Sequence, residues 1–501
     1  MNSITIVTDE YKKELPFSDG QSVFDVLANN LVDIGASCAG GGRCGKCGAV
    51  ISPAPVPSEE DLSFFTADSI DRGVRLTCRV RAEDGMTVKP LNSGVHMRIR
   101  GAALDNAACH SGELHVAVDI GTTTLALALV NGEGSVISSV SGMNPQRVFG
   151  ADVISRISAA CDGQSEKLTS VIKKELLNKF AELIPYDSMG KVKSVTVSAN
   201  TAMCHMLLGL DCSGLGVFPF RNEGVDIVEK SFYDVFGSNI MNCTVTVMPG
   251  ISTFVGADIV SGMYFCDMDV SDKLCLFVDL GTNAEMVLGK KGRFLVSSAA
   301  AGPAFEGGNI LCGTGSIPGA VCSADVGENG MVFGTIDNAP VCGICGTGVV
   351  ETAAALLSAG LMDETGTLAE ELSENGLSLG NGVCFTAKDV RELQLAKSAV
   401  RAGMETLMSK YGVKASDIDR LYIAGGFGSV LNAQKAAFIG LIPPELVNRT
   451  VPLGNSSLMG AVKYAVNKNA KRIRTLKDSC SEIELSNEAV FTSAFMEHMY
   501  F

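Results

Sequence analysis

Cys38, Cys44 and Cys47 fall within ten residues on the glycine-rich run SCAGGGRCGKCGA, and Cys78 follows, giving C-x5-C-x2-C-x30-C. Zinc usually draws on two C-x2-4-C pairs or Cys/His knuckles. Three ligands from one loop and a fourth from a distant strand suit a [2Fe–2S] cluster better. Gly40, Gly41, Gly42, Gly45 and Gly48 let backbone N–H groups approach the cluster sulfurs and stabilise the reduced state. The loop nearly spells a P-loop as well, but Cys47 stands where Ser or Thr must bind Mg2+, so it is not a phosphate loop.

A second constellation is duplicated. Asp119-Ile-Gly121-Thr122-Thr123 returns 160 residues later as Asp279-Leu-Gly281-Thr282-Asn283. A strand ending in Asp and turning through Gly-Thr brings a carboxylate, backbone N–H groups and hydroxyls to one spot, which can cradle phosphate and hold Mg2+ through water. One such turn is more often a plain hairpin. Two copies in matching contexts, with Gly425-Gly426-Phe427-Gly428 after a further strand, predict ATP clamped between facing turns, the glycine bend lying against its adenosine.

The elements around these groups read as follows. Residues 1–92 are short strands and turns about the cysteine loop, with a helix-like SVFDVLANNLVDIG. Residues 93–112 have no clear period and read as a linker. From Leu114, LHVAVDIGTTTLALALVNGEGSVISSVSG reads strand, turn, strand, turn, strand, and LCLFVDLGTNAEMVLGKKGRFLVSSAA repeats that syntax from Leu274. In the first half an amphipathic helix with Leu168, Val171, Ile172, Leu176, Phe180 and Leu183 on one face precedes the strand SVTVSAN. In the second, DVRELQLAKSAVRAGMETLMSKYG precedes LYIAGGFG. A period this long suits two homologous halves rather than a solenoid. The expected organisation is a domain of residues 1–92, a first α/β lobe at 113–272 and a second at 273–501.

At 501 residues the chain exceeds one hydrophobic core. Its net charge of −15 and pI near 4.9 argue against a nucleic-acid or anionic-membrane surface. Mean hydropathy is +0.25, yet every apolar run is broken before reaching about 18 residues, so no membrane span is expected. The N-terminus has no signal-peptide pattern, and a cytoplasmic protein is expected. Thirteen of the 17 cysteines lack ligand-like spacing and read as small buried hydrophobes.

The first 92 residues resemble a plant-type ferredoxin domain, with a first spacing that matches the adrenodoxin-like branch. The duplicated turns resemble the acetate and sugar kinase, Hsp70 and actin superfamily. Together with Asn144-Pro-Gln, Gly150-Ala-Asp152-Val-Ile-Ser-Arg156-Ile, Asn200-Thr-Ala-Met203, AAGPAFEGG, GICGTG and LYIAGGFG, the chain resembles the reductive activators of corrinoid proteins over nearly all its length.

That resemblance implies an α+β, β-grasp ferredoxin domain followed by a two-lobed duplicated α/β ATPase. It implies a [2Fe–2S] cluster on Cys38, Cys44, Cys47 and Cys78, and MgATP at two phosphate turns: Asp119, Gly121, Thr122 and Thr123, then Asp279, Gly281, Thr282 and Asn283. Gly425, Gly426 and Gly428 would line the adenosine pocket. Glu306 is a candidate cleft acid, balanced against a surface carboxylate.

The activity implied is ATP-dependent reduction of a Co(II) corrinoid protein to Co(I), with a methyltransferase system as the setting. The expected partners are that corrinoid protein, an upstream electron donor of flavodoxin, ferredoxin or reductase type, and a second copy of the chain in a homodimer. The alternatives are an activator of another low-potential enzyme and a metabolite kinase with an Fe–S sensor. Cys342 and Cys345 read as structural, His205 as packing, and Phe491, Phe495 and Met499 as one docked helix face.

Overall fold

The computed structural model describes residues 2–7, 12–30, 47–91, 112–224, 226–328, 330–426 and 431–501, together with Val32, Gly40, Gly42 and Gly45. Cys38, Cys44 and Gly428 lie outside the described residues, as does the expected linker apart from Gly112.

Strands β1 (Ser3–Val7), β2 (Lys12–Pro16), β3 (Gly48–Ser52), β4 (Val74–Leu76) and β5 (Thr87–Pro90) form one sheet in the order β2-β1-β5-β3-β4. In β1 only Ile4 and Ile6 are buried, the period of a strand with one face on a core. They pack with Val23, Val26 and Leu27 of the helix Val23–Asn29. Ser22 starts that helix: its hydroxyl accepts from Asp25 N–H, and the Asp25 carboxylate accepts from Ser22 N–H, both at 3.0 Å.

The first lobe is built on β6 (Leu114–Ile120), β7 (Thr124–Asn131), β8 (Val136–Met143), β9 (Val192–Ala199), β10 (Val228–Ser231) and β11 (Thr244–Val247), ordered β10-β11-β9-β6-β7-β8. The second uses β12 (Cys275–Leu280), β13 (Ala284–Lys290) and β14 (Arg293–Ala299). It continues through a small sheet of β15 (Ala320–Gly327), β16 (Gly330–Thr335) and β17 (Gly343–Ile344) and the hairpin β18 (Leu377–Gly380) and β19 (Val383–Phe385). Then β20 (Arg420–Ala424), β21 (Thr450–Gly454) and β22 (Cys480–Glu482) complete the main sheet, ordered β21-β20-β12-β13-β14-β22. Each lobe thus repeats an antiparallel three-strand meander with two further strands parallel to its first. The helix Ser165–Leu183 buries the six residues of its expected face.

Alternation along the two leading strands positions both aspartates. Leu114, Val116, Val118 and Ile120 enter the first core, while Ala117 faces the other way against Ala461 and Val462. Asp119 shares the Ala117 face. In β12, Leu276, Val278 and Leu280 enter the second core, whereas Phe277 packs with residues of the first. Asp279 shares the Phe277 face, so both carboxylates turn toward the region between the lobes.

The lobes do not divide at one point in the chain. After β21 the helices Ser456–Asn467 and Ala470–Asp478 leave the second sheet and pack on the first lobe. Ala117 and Ala128 are small enough to admit a helix closely, and Ala461 and Val462 fill the space. Tyr464, Ile473 and Leu476 join the first core. Arg472 reaches Asp267 at 2.6 Å and Asp269 at 2.5 Å, and Lys463 reaches Asp267 at 2.7 Å. The expected second lobe, 273–501, thus also sends two helices across to cover the small-residue face of β6 and β7. β22 then returns beside β14. The helix Ala489–Glu497 docks on the helix Ala387–Tyr411, with Phe491 and Phe495 against the second core and Met499 buried. Among the described residues no helix is long and apolar enough to cross a membrane.

Candidate nucleotide cleft and cluster site

The first turn is tied back through its carbonyls. Asn144 Nδ2 donates to Gly121 O at 2.8 Å, Arg156 Nη2 to Thr122 O at 2.5 Å, and Asn144 N–H to Thr123 O at 2.9 Å. These acceptors would otherwise repel a phosphate. Arg156 is fully buried and also donates to Gly150 O at 2.8 Å. Asn200, which caps the helix Thr201–Leu208, donates to Thr122 Oγ1 at 3.1 Å. In the second turn Gly281 N–H donates to Asn283 O at 2.9 Å, and Thr282 Oγ1 donates to Glu306 Oε2 at 2.8 Å. Glu306 thus stands at the second turn, with Gly281 close to its carboxylate.

Gly425 follows β20 directly beside Asp279. A Cβ there would lie 2.5 Å from Leu280 O and 2.9 Å from Asp279 Oδ1, and its φ of +91° is one that side chains rarely adopt. Gly426 follows in open space.

Five carboxylates crowd this cleft: Asp119, Asp279 and Glu306, with Asp258 and Glu285. Glu285 lies directly opposite Asp279 in the β12–β13 register, where Asp119 in the first lobe faces Ala126. Like charges opposed across strands destabilise a sheet, and a raised proton affinity relieves that repulsion. All five are pushed above the ordinary carboxylate range, chiefly by burial. Asp258 rises to about 7, with Asp119 adding to the effect. Asp279 rises to about 8, with Asp258, Asp119 and Glu306 adding to it. Asp119 is raised less freely because Ser457 and Asn455 donate to it. Glu306 is solvent-exposed and the other four are half-buried. Among the described residues no three His, Cys, Asp or Glu side chains converge on one point as a metal cage. A cation here would be completed by water and phosphate oxygens.

Asp258 and Glu285 were not among the expected residues. Asp258 lies in Gly256-Ala-Asp258-Ile-Val, a near copy of Gly150-Ala-Asp152-Val-Ile, and Glu285 lies two residues after Asn283 of the second turn. A carboxylate at even spacing from Asp279 across a hairpin was the available signal.

At the cluster site Cys47 is buried, Cys78 is half-buried, and their sulfurs are 3.4 Å apart. Two sulfurs on one tetrahedral ion with bonds of about 2.3 Å lie roughly 3.8 Å apart, so these two thiols fit ligands to a single iron. Gly45 is closely packed: a Cβ there, at φ +67°, would lie 2.5 Å from the Phe64 ring. A polar hollow of about 390 Å3 beside Cys78 is lined by Arg79, Arg81 and Asp25.

Cys342 donates to Pro318 O at 3.4 Å, and buried Cys345 begins the helix Gly346–Ser358. His205 is buried, with Nδ1 2.7 Å from Asp211 O.

Comparison with known proteins agrees with this architecture. Residues 6–83 match the 2Fe-2S iron-sulfur cluster binding domain, 114–271 the RACo middle region, and 273–501 the C-terminal domain of RACo, the ASKHA domain. The corrinoid activation enzyme RamQ of Eubacterium limosum is 29% identical over 416 residues, 77% of this chain and 70% of that protein. The [Co(II) methylated amine-specific corrinoid protein] reductase of Methanosarcina barkeri is 31% identical over 292 residues, 53% of this chain and 52% of that one. A solved reductive activator for corrinoid, iron-sulfur protein shares the fold, with a TM-score of 0.68 over 100% of this chain and 98% of that one, at 24% identity.

The chain therefore joins a ferredoxin domain to a two-lobed ATPase of the acetate and sugar kinase, Hsp70 and actin type. It belongs with the reductive activators of corrinoid proteins.

Proposed function

We propose that this chain delivers single electrons to a corrinoid protein in its inactive Co(II) state, restoring the methyl-accepting Co(I) state, and that MgATP between the lobes drives the transfer. The observation that carries this reading is the presence in one chain of a thiol pair spaced for one iron and two aspartate turns facing a common cleft. A [2Fe–2S] cluster on Cys38, Cys44, Cys47 and Cys78 supplies electrons one at a time. Asp119 and Asp279 would hold Mg2+, the turns Gly121–Thr123 and Gly281–Asn283 would orient the phosphates, and the Gly425-Gly426-Phe427-Gly428 segment would take the adenosine. Glu306, fixed by Thr282, aligns the water that attacks the terminal phosphate.

ATP is needed because the acceptor lies uphill. Moving an electron up 100 mV costs about 2.3 kcal/mol. A partner affinity that differs roughly fiftyfold between nucleotide states supplies that amount. The electrons enter from an upstream donor of flavodoxin, ferredoxin or reductase type.

The test mixes reduced protein with candidate Co(II) corrinoid proteins, with and without MgATP, and follows Co(II) loss by electron paramagnetic resonance. Nucleotide should raise both rate and extent. Equal transfer without nucleotide would remove the ATP half of the proposal. No transfer to any corrinoid protein from a reducible cluster would remove the other half.

A further inference from the structure

Both oxygens of the Asp119 carboxylate are held by one short segment from the far end of the chain. Asn455 Nδ2 donates to Oδ2 at 2.8 Å, and Ser457 Oγ donates to Oδ1 at 2.6 Å. Ser457 Oγ is also 2.9 Å from Ser198 Oγ, which is 2.8 Å from Ser261 Oγ. The donors run outward from the carboxylate's neighbour: Ser457 Oγ is shared between Asp119 and Ser198, and Ser198 Oγ donates on to Ser261. That chain ends on the helix Ala257–Phe265, which carries Asp258.

The same segment reaches the opposite turn. Gly454 O accepts from Gly425 N–H at 3.1 Å, and Gly425 lies against Asp279. Four residues, Gly454 to Ser457, thus span from one aspartate turn to the other. Asn455 serves twice, since its Oδ1 accepts from Leu458 N–H at 2.8 Å and caps the helix that crosses to the first lobe. Ser456, between the two anchoring residues, has a buried hydroxyl without a partner.

Taking the cleft as the Mg-nucleotide site proposed above, we infer that Asn455 and Ser457 are positioning residues that aim the Asp119 carboxylate at the metal and tie its position to the second lobe. A carboxylate has about four acceptor sites, and two donors leave two for metal-bound water. Partners of this kind set the orientation of a metal-binding group, and losing one costs roughly 10- to 100-fold in metal affinity or activity.

The test uses the full chain with its cluster and a fluorescent ADP analogue titrated at a series of Mg2+ concentrations. Ser457→Ala should raise the Mg2+ needed for half-maximal tight binding about tenfold or more, while affinity for metal-free nucleotide stays within about twofold. Asn455→Ser keeps a capping side chain but is too short to reach Asp119, and should behave likewise. It also decides the matter if Ser457→Ala fails to fold. Ser456→Ala should match the parent. Parental Mg2+ dependence in both anchoring variants, or an equal loss in Ser456→Ala, would overturn the inference. A parent chain whose nucleotide affinity ignores Mg2+ would instead overturn the reading of the cleft, and this inference with it.

Discussion

Without nucleotide, raising the pH from 6 to 8 should destabilise the protein, and Asp279→Asn should flatten that dependence. Asp279 is raised to about 8 in the folded chain, by burial first and by Asp258, Asp119 and Glu306 next, from an ordinary value of 3.8. Between those values the folded state holds a proton that the unfolded state has lost. The stability this confers is complete below about pH 4 and disappears as pH rises through about 8, with a slope of up to about 1.36 kcal/mol per unit. From pH 6 to 8 one such group gives about 2 kcal/mol, and the access of the half-buried carboxyl to solvent reduces this to roughly 1–2 kcal/mol. Asp258, raised to about 7, acts in the same direction. The assay is thermal unfolding of parent and Asp279→Asn at pH 6, 7 and 8, where the parent should fall by a few degrees more than the variant. Mg-nucleotide must displace the same protons, so its apparent affinity in the parent should rise up to about tenfold per pH unit below 8. Identical pH slopes in parent and variant would refute the claim that Asp279 carries an excess proton in the empty cleft.

Cys47→Ser should lower iron and sulfide from about two each per chain while leaving nucleotide binding within about twofold, as measured by metal analysis and calorimetry. Gly425→Ala places a Cβ 2.5 Å from Leu280 O at φ +91°, and should cost roughly 1–3 kcal/mol in urea unfolding and weaken nucleotide binding about tenfold or more. Arg156→Lys cannot satisfy Thr122 O and Gly150 O together, and should lower stability by about 1–3 kcal/mol with a loosened first turn, read from the urea midpoint and the Michaelis constant for MgATP.

Local pattern carried much of the fold. The helical period of residues 165–183 named its buried face, and the repeated Asp-x-Gly-Thr syntax named two equivalent strands, because each signal lies within a few residues. Strand parity then sufficed to turn Asp119 and Asp279 to one side. What stayed hidden depends on contacts with no local period. Asn455 and Ser457 meet Asp119 across 336 and 338 residues, and a short Gly-Asn-Ser-Ser run carries no mark of its destination. Asp258 and Glu285 are hidden for a different reason. Each sits in an apolar setting where a lone acid looks incidental, and only the β12–β13 register and the helix start bring them to the cleft. Glu306 reads equally from sequence as a cleft or a surface acid, and it is both solvent-exposed and bound to Thr282.

The crossing of residues 456–478 onto the first lobe also bears on how the protein is made. Ala117, Ala128 and Val130 are covered by Ala461 and Val462, and Tyr464, Ile473 and Leu476 complete the core that begins at Leu114. A ribosome adding about 5–20 residues per second emits the first sheet many seconds before its cover. The ferredoxin domain can close early, but the first lobe must wait with an apolar face open until nearly the whole second lobe has been synthesised. A chain interrupted before residue 461 would therefore leave the face of Ala117, Ala128 and Val130 without its cover.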